Sequence, residues 1–148
     1  MNSMKQYTVK VYNDETTWYN SDNQLDRDDG PAIEYANGTK KWFKDGDLHR
    51  DDGPAVEYAG GTKCWYRNNE LHREDGPAVE YSNGTKAWYK NGIQHRDDGP
   101  AIEWHDGSKR YYLEGIEYSE QEYYNKINNS CHNKIIEIDG KKYTLVPV

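Results

Sequence analysis

Carboxylate pairs recur along the chain at a constant spacing of 23 residues. They are Asp28-Asp29, Asp51-Asp52, Glu74-Asp75 and Asp97-Asp98. Paired carboxylates could bind Ca²⁺, but that ion takes about six to eight oxygens, and the Asp-x-(Asp/Asn)-x-(Asp/Asn)-Gly spacing of a calcium loop is absent. Each pair precedes Gly-Pro, where an Asp carboxylate commonly accepts backbone N–H bonds in a tight turn. The pairs therefore predict repeated turns rather than a metal site.

Three imidazoles recur at the same spacing, at His49, His72 and His95. Imidazole is a zinc ligand or a general base. If each repeat adds two strands about 4.8 Å apart, successive imidazoles lie roughly 10 Å apart. Zn–N bonds are about 2.0–2.1 Å long, so these rings cannot share one zinc ion. Because such a ladder does not bring different groups together, we expect no catalysis, no metal and no cofactor.

The two thiols, Cys64 and Cys131, carry no nucleophile motif. Cys64 occupies a variable position of the repeat, so the repeat does not require a thiol there. Cys131 precedes His132, but the side chains of adjacent residues usually diverge. Two cysteines in a chain without a visible secretory signal do not form a disulfide framework.

Aromatic side chains recur in three rows and are the strongest functional candidates. The first row is Tyr35, Tyr58, Tyr81 and Trp104. The second is Trp42, Trp65, Trp88 and Tyr111. The third is Phe43, Tyr66, Tyr89 and Tyr112. Either both faces of the sheet are buried, or one of them is an exposed binding surface. The first two rows, with His49, His72 and His95, are the candidate partner-binding residues.

The 23-residue period indicates a repeat architecture. Four units span residues 27–118, and each reads Pro-Ala-(Ile/Val)-Glu-Tyr, a turn, Thr-Lys-x-Trp-Tyr and a second turn in its most regular form. The first turn is Asn37-Gly38 or its equivalent, and the second is Asp45-Gly46 or its equivalent. Such pairs favour the two-residue type I′ turn of an antiparallel hairpin.

A two-residue first turn sets the pairing of the strands around it. It predicts Ile33 opposite Trp42 and Tyr35 opposite Lys40. The second turn predicts Trp42 opposite His49, and Phe43 opposite Leu48. One face of the sheet would then carry Ile33, Tyr35, Trp42 and His49. The other would carry Ala32, Glu34, Phe43 and Leu48.

The two ends of the chain depart from the repeat and predict caps. Residues 6–12 alternate as a strand, and Trp18-Tyr19 begins a degenerate unit. Ser119-Glu120-Gln121-Glu122 is a capping box, which predicts a short helix to about Asn128. Ile135–Ile138, Asp139-Gly140 and residues 141–146 predict one more hairpin.

These elements predict an all-β fold in a single domain, residues 1–148. The fold would be an elongated, twisted antiparallel meander of 23-residue hairpin repeats with a small C-terminal helix and hairpin cap. Its parts would be an N-terminal cap and degenerate unit (1–26), the four units (27–118) and the C-terminal cap (119–148).

The order Trp-Tyr-x-Asn-Gly-x-x-His-x-x-Asp-Gly resembles the MORN repeat in a bacterial and viral variant. It stands here in residues 65–76 and 88–99, and the resemblance covers roughly residues 18–118. It departs from the family at Arg50, Arg73 and Arg96, where Gly is common, and in the inserted Pro-Ala. The resemblance implies a curved antiparallel ribbon that serves as a protein- or lipid-binding scaffold.

Composition limits the function further. Leu, Ile, Val and Phe make up only 20 of 148 residues, and the net charge is −7. Those values are typical of disorder, but 14 Tyr and 5 Trp placed in register indicate a folded chain. The acidic balance disfavours nucleic acid and anionic membranes as direct partners. With no apolar span and no visible signal peptide, we expect a cytoplasmic protein.

These patterns predict a non-enzymatic repeat module that binds another protein. The leading hypothesis is an acidic inhibitor, such as an immunity or anti-defence protein of a bacterium or phage, that blocks a basic surface of its partner. One alternative is a generic MORN-type scaffold or lipid-associated adaptor. Another is a small-ligand or nucleotide binder that uses the aromatic face.

Overall fold

The chain folds into one long antiparallel sheet flanked by short hairpins and a C-terminal helix. The computed structural model describes residues 5–131, 135–138 and 141–144. The elements are β1 (Thr8–Val11), β2 (Glu15–Tyr19), β3 (Ile33–Tyr35), β4 (Lys40–Lys41), β5 (Phe43–Lys44), β6 (Asp47–Leu48), β7 (Val56–Glu57), β8 (Lys63–Cys64), β9 (Tyr66–Arg67), β10 (Glu70–Leu71), β11 (Val79–Glu80), β12 (Lys86–Ala87), β13 (Tyr89–Lys90), β14 (Ile93–Gln94), β15 (Ile102–Glu103), β16 (Lys109–Leu113), β17 (Ile116–Tyr118), α1 (Glu120–Cys131), β18 (Ile135–Ile138) and β19 (Lys141–Thr144). The predicted all-β hairpin meander with a C-terminal helix is confirmed.

The main sheet has 11 strands in the order β1-β2-β3-β4-β7-β8-β11-β12-β15-β16-β17 and does not close into a barrel. All of its neighbours pair antiparallel. Each central unit adds two strands, β7 and β8 or β11 and β12. Since neighbouring strands lie about 4.7–4.9 Å apart, equivalent residues of successive units are separated by about 9.4–9.8 Å.

At the repeated tryptophan, the chain passes from the main sheet into a small hairpin. At Trp42, the backbone N–H donates to the carbonyl of Ala55 in the next unit at 2.8 Å. The Trp42 carbonyl instead accepts from the N–H of His49 at 3.2 Å. The chain therefore leaves the main sheet after β4 and pairs β5 with β6. Equivalent hairpins are β9-β10 and β13-β14.

The first turn of each unit contains three residues, so the two-residue prediction is wrong there. Tyr35 N–H donates to the Thr39 carbonyl and Gly38 N–H to the Tyr35 carbonyl, both at 2.9 Å. Gly38 has φ +92°, but Asn37 is not left-handed. The Asn37 side-chain oxygen accepts from Thr39 N–H at 2.9 Å, which holds Asn37 in a type I turn followed by a bulge.

This turn moves the register by one residue, so the predicted division of faces is also wrong. Ile33 pairs with Lys41 rather than Trp42. In the next unit Val56 pairs with Cys64. The core accordingly contains Val56, Cys64, Val79 and Ala87, with Leu48, Tyr66, Leu71, Tyr89 and Ile102 packed against it. Cys64 thus occupies a core position. At the equivalent position, the other units have Ala or a long cationic side chain.

The second turn follows the prediction. Asp45 and Gly46 have φ values of 51° and 89°, as a type I′ turn requires, and Phe43 pairs with Leu48. Glu114-Gly115 forms the corresponding turn of the fourth unit, with φ values of 50° and 77°.

The C-terminal cap begins with the expected capping box. The Ser119 backbone N–H and hydroxyl both donate to the Glu122 carboxylate, at 2.9 and 2.6 Å. α1 extends to Cys131, three residues beyond the prediction. β18 and β19 form the predicted hairpin, whose Asp139-Gly140 turn lies outside the described residues, as do residues 145–148.

Candidate functional site

Arg50 is the centre of a side-chain cluster on one face of the sheet. Its guanidinium carbon lies 4.1 Å from the centroid of the Trp42 ring. Its Nε donates to Asp52 at 2.8 Å, and its Nη1 donates to Glu57 at 3.1 Å and to the Pro54 carbonyl at 3.4 Å. The cation covers the indole while carboxylates balance its charge, so this cluster is a stabilising contact of the fold.

The same cluster recurs at every boundary between units. The aromatic partners of Arg27, Arg73 and Arg96 are Trp18, Trp65 and Trp88, at 4.2, 4.1 and 4.0 Å. Because each arginine stacks on the tryptophan of the preceding unit, the cluster joins consecutive units. The sequence pattern indicates this arginine as a partner of the turn carboxylates, but it does not predict the stack on tryptophan that joins the units.

The Asp-Asp-Gly-Pro turn is fitted closely around the arginine. A Cβ at Gly53 would lie 3.0 Å from Cζ of Arg50, so a side chain there would displace the guanidinium. The hydrogen bond and positive charge of Arg50 hold the pKa of Asp52 below its usual value. Arginine lowers the pKa of Asp29 and Asp75 in the same way.

The repeated histidines also join neighbouring units. Nδ1 of His72 accepts the backbone N–H of Asn91 at 3.1 Å, and Nε2 lies 3.4 Å from Glu74. The His72 backbone N–H donates to the Trp65 carbonyl at 3.0 Å, which confirms the predicted Trp–His neighbours. In the same way Nδ1 of His95 accepts the backbone N–H of Glu114 at 3.1 Å, and Nε2 lies 3.0 Å from Asp97. At His49, Nδ1 instead faces the side-chain oxygen of Asn68 at 2.9 Å, and Nε2 lies 2.9 Å from Asp51.

Asp26 takes the histidine position in the N-terminal cap, 23 residues before the first histidine. Its N–H donates to the Trp18 carbonyl at 3.1 Å, and its Oδ1 accepts from Asp45 N–H at 3.5 Å. This fully buried carboxylate pairs with Lys5, which also bonds Asp28. The hydrogen bond from Lys5 to Asp26 raises the pKa of Lys5 above its usual value. Counting 23 residues back from His49 in the sequence would have identified Asp26 at the histidine position.

Eight carboxylates form what we call the acidic ridge. Its members are Asp28, Asp29, Asp51, Asp52, Glu74, Asp75, Asp97 and Asp98. Their side chains are 64–83% exposed, whereas the arginines beneath them are 20–23% exposed. Open clefts separate successive pairs, and one of them is lined by His49, Asp51, Trp65 and Glu74 among others. The carboxylates therefore form the outer surface of this face, and the arginines lie beneath them.

The opposite face of the sheet carries exposed aromatic rings. Tyr58 follows Val56 by two residues and so shares its face, which is opposite to Glu57 and the arginine cluster. Tyr58 and Tyr81 are 46% and 45% exposed. A groove that we call the aromatic cleft is lined by Tyr81, Asn83, Thr85, Ala87, Tyr89, Gln94, Ile102 and Trp104.

Tyr111 lies under α1 and is only 5% exposed. Its ring centroid is 5.0 Å from that of Tyr123 and 5.9 Å from that of Tyr124. The Tyr111 hydroxyl donates to Glu120 at 2.7 Å. Burial, with this hydrogen bond, raises the pKa of Tyr111 above its usual value.

The eleven predicted partner-binding residues therefore fall in three environments. Tyr35, Tyr58, Tyr81 and Trp104 belong to the aromatic face. Trp42, Trp65, Trp88, His49, His72 and His95 form contacts between units beneath the acidic ridge. Tyr111 is covered by the helix. Within the part of the chain that the structure describes, no three His, Cys, Asp or Glu side chains converge as metal ligands.

Comparisons with protein-family models and with curated proteins find no match to this chain. The MORN resemblance thus stays a prediction from the sequence. Among the described helical residues, no segment is long and apolar enough to cross a membrane.

Proposed function

We propose that this chain is a non-enzymatic binding module that uses its acidic ridge to cover a basic surface of another protein. The observation that supports this most strongly is the arrangement of the ridge: four exposed carboxylate pairs, repeated about every 9.4–9.8 Å along a sheet.

Each segment of the ridge carries more negative than positive charge. Asp52 and Glu57 both pair with the Arg50 guanidinium, while Asp51 lies beside His49 and 3.8 Å from Lys44, so three carboxylates stand against two full cations. That guanidinium is stacked on Trp42 and only partly exposed, so it offers little positive charge to solvent. A lysine- or arginine-rich surface would therefore be attracted along the whole ridge.

The ridge is also held in place before binding. Asp52 accepts from Arg50, and Asp51 lies 2.9 Å from Nε2 of His49. Ordering exposed side chains costs about 0.5–1.5 kcal/mol each on association, and prior ordering reduces that cost. A rigid acidic surface of this kind suits an inhibitor that blocks a basic active or binding site.

The test compares two variants with equal loss of charge. The ridge variant Asp51→Asn/Glu74→Gln/Asp97→Asn keeps an oxygen acceptor for each histidine. The control variant Asp14→Asn/Asp22→Asn/Glu70→Gln removes three exposed carboxylates elsewhere. Each is immobilised, and proteins retained from a bacterial lysate are identified by mass spectrometry at low salt and at 0.5 M salt.

We expect proteins with basic surfaces that are retained by the unmodified chain and the control, lost with the ridge variant and released at 0.5 M salt. Equal retention by both variants, or retention that salt does not weaken, would contradict the proposal.

A further inference from the structure

We propose that the aromatic face binds a proline-rich segment in the polyproline II conformation, with the aromatic cleft as one of its repeated binding positions. This surface lies on the other face of the sheet from the arginine cluster. It shares with the proposed function only the assumption that the partner is a protein.

The rings that would contact the peptide are accessible and in register. Tyr58, Tyr81 and Trp104 occupy the same position in successive units. Tyr58 and Tyr81 are nearly half exposed, and Tyr81 and Trp104 both line the cleft. Ala87 and Ile102 pair across β12 and β15 and line it as well. Tyr81 and Trp104 thus form one slot with an apolar surface between them, and Tyr58 continues the row of rings one unit earlier.

The spacing of the rings matches the repeat of a polyproline II helix. Two strands per unit give a separation of about 9.4–9.8 Å between equivalent rings. A polyproline II helix has three residues per turn and rises about 3.1 Å per residue, or about 9.3 Å per turn. A proline at every third position would therefore meet one aromatic ring after another along the sheet.

The polar groups of the cleft suit such a peptide. A polyproline II segment forms no internal hydrogen bonds, so its carbonyls are free to accept. Trp104 carries an indole N–H, and Gln94 carries a side-chain amide that already donates to the Tyr89 hydroxyl at 3.2 Å. Aromatic grooves with a few such donors are a common way of binding preformed proline-rich segments.

Charge selects among proline-rich segments. Tyr89 lines the aromatic cleft and also the neighbouring cleft that contains Glu74 and Asp97. A lysine or arginine that extends past Tyr89 from the prolines would be attracted toward these carboxylates. The same carboxylates would repel a phosphate, which disfavours a nucleotide in this cleft.

The test uses a neutral probe, decaproline with blocked ends, so that the aromatic face is measured without the acidic ridge. Titration calorimetry with the full chain should show binding of decaproline and none of a Gly-Ser peptide of equal length. Tyr81→Ala and Trp104→Ala should each weaken binding about three- to tenfold. The matched control Tyr12→Ala, which removes a 52% exposed tyrosine outside the cleft, should bind like the unmodified chain.

The spacing of prolines in the peptide provides a second test. A peptide with proline at every third position should bind more tightly than one of the same composition with proline at every fourth. The ridge variant should bind decaproline unchanged, so failure of the proposed function would leave this result intact. Binding of the Gly-Ser peptide, loss of binding in Tyr12→Ala alone, no binding at millimolar decaproline, or binding of cellohexaose in its place would overturn the inference.

Discussion

The guanidinium of Arg73 lies 4.1 Å from the Trp65 ring centroid and donates to Asp75 and Glu80 at 2.8 and 3.0 Å. A planar cation can stack and form these two bonds together because its donors lie in one fixed plane. In a chain so poor in aliphatic residues, this contact provides part of the packing that Leu or Ile supplies elsewhere. Its geometry is therefore a determinant of stability.

Replacing Arg73 with lysine should destabilise the fold by about 1–3 kcal/mol, because the ammonium retains charge but loses the planar stack and the paired bonds. The measurement is the free energy of unfolding in urea. Arg110→Lys is the control, since Arg110 is 57% exposed and its pair with Glu117 is a surface contact worth at most about 1 kcal/mol. Equal effects of the two variants would contradict the role assigned to Arg73.

Gly53→Ala should destabilise the fold by about 1–2 kcal/mol, because the added methyl group displaces the Arg50 guanidinium. Gly60→Ala is a matched control: no heavy atom lies within 4 Å of its added Cβ, and its φ is not left-handed. There alanine should be neutral or slightly stabilising. Thermal unfolding of both variants measures the difference, and a Gly53→Ala midpoint equal to that of Gly60→Ala would argue against close packing at the turn.

The helix α1 covers the C-terminal end of the repeats, where the Trp–Arg cluster stops. The fourth unit has Tyr111 at the tryptophan position and Ser119 at the arginine position. Tyr123 of α1 replaces the missing arginine as the cover of Tyr111. Its hydroxyl also accepts from Gly99 N–H at 3.0 Å and donates to the Arg96 carbonyl at 2.6 Å. The helix thus contacts both the Tyr111 ring and the turn that contains Gly99 in the last unit.

Tyr123→Phe should cost about 1–3 kcal/mol, because it leaves the Gly99 N–H and the Arg96 carbonyl without their hydroxyl partner in a buried place. Urea unfolding measures the change. Tyr12→Phe, at an exposed tyrosine, is the control and should differ little from the unmodified chain. A Tyr123→Phe variant as stable as Tyr12→Phe would show that α1 is held by ring packing alone.

The elements that could be predicted from sequence are those set by local chemistry. The type I′ turn at Asp45-Gly46 and the Ser119 capping box depend on residues close in the chain. The first turn was mispredicted because only its glycine is left-handed, as at Gly38 and Gly61, whereas a type I′ turn needs two such residues. The resulting three-residue loop shifts the register by one residue, which reverses the faces. The Arg–Trp stack and the Lys5–Asp26 pair depend on residues brought together by the fold, which spacing alone did not indicate.

Across the whole chain, the 23-residue repeat places an equivalent Arg–Asp pair in each successive unit. The free energy of unfolding should therefore depend on pH through equivalent aspartates in successive units. Arg27, Arg50 and Arg73 lower the pKa of their aspartates in the folded state. A lowered folded pKa contributes stability that is present above the unfolded pKa, about 3.9, and is lost as pH falls through the folded value.

The free energy of unfolding should consequently decrease as pH falls below about 4. Asp52→Asn should be less stable than the unmodified chain at pH 7, and the difference should shrink as pH falls below about 4, as protonation begins to remove the same charge. Urea titrations at pH 7, 5, 4 and 3 measure both curves. A difference that stays constant over this range would exclude the charge of Asp52 as its cause.

The acidic ridge, as we propose, is a binding surface for a basic protein. The most direct measurement is the dissociation constant of the captured partner for the unmodified chain, the ridge variant and the off-ridge control, by titration calorimetry at two salt concentrations. We expect weakening of at least tenfold for the ridge variant, little change for the control, and a smaller difference between the two at high salt. Equal weakening by both variants would mean that net charge alone acts, and would contradict a defined acidic binding surface.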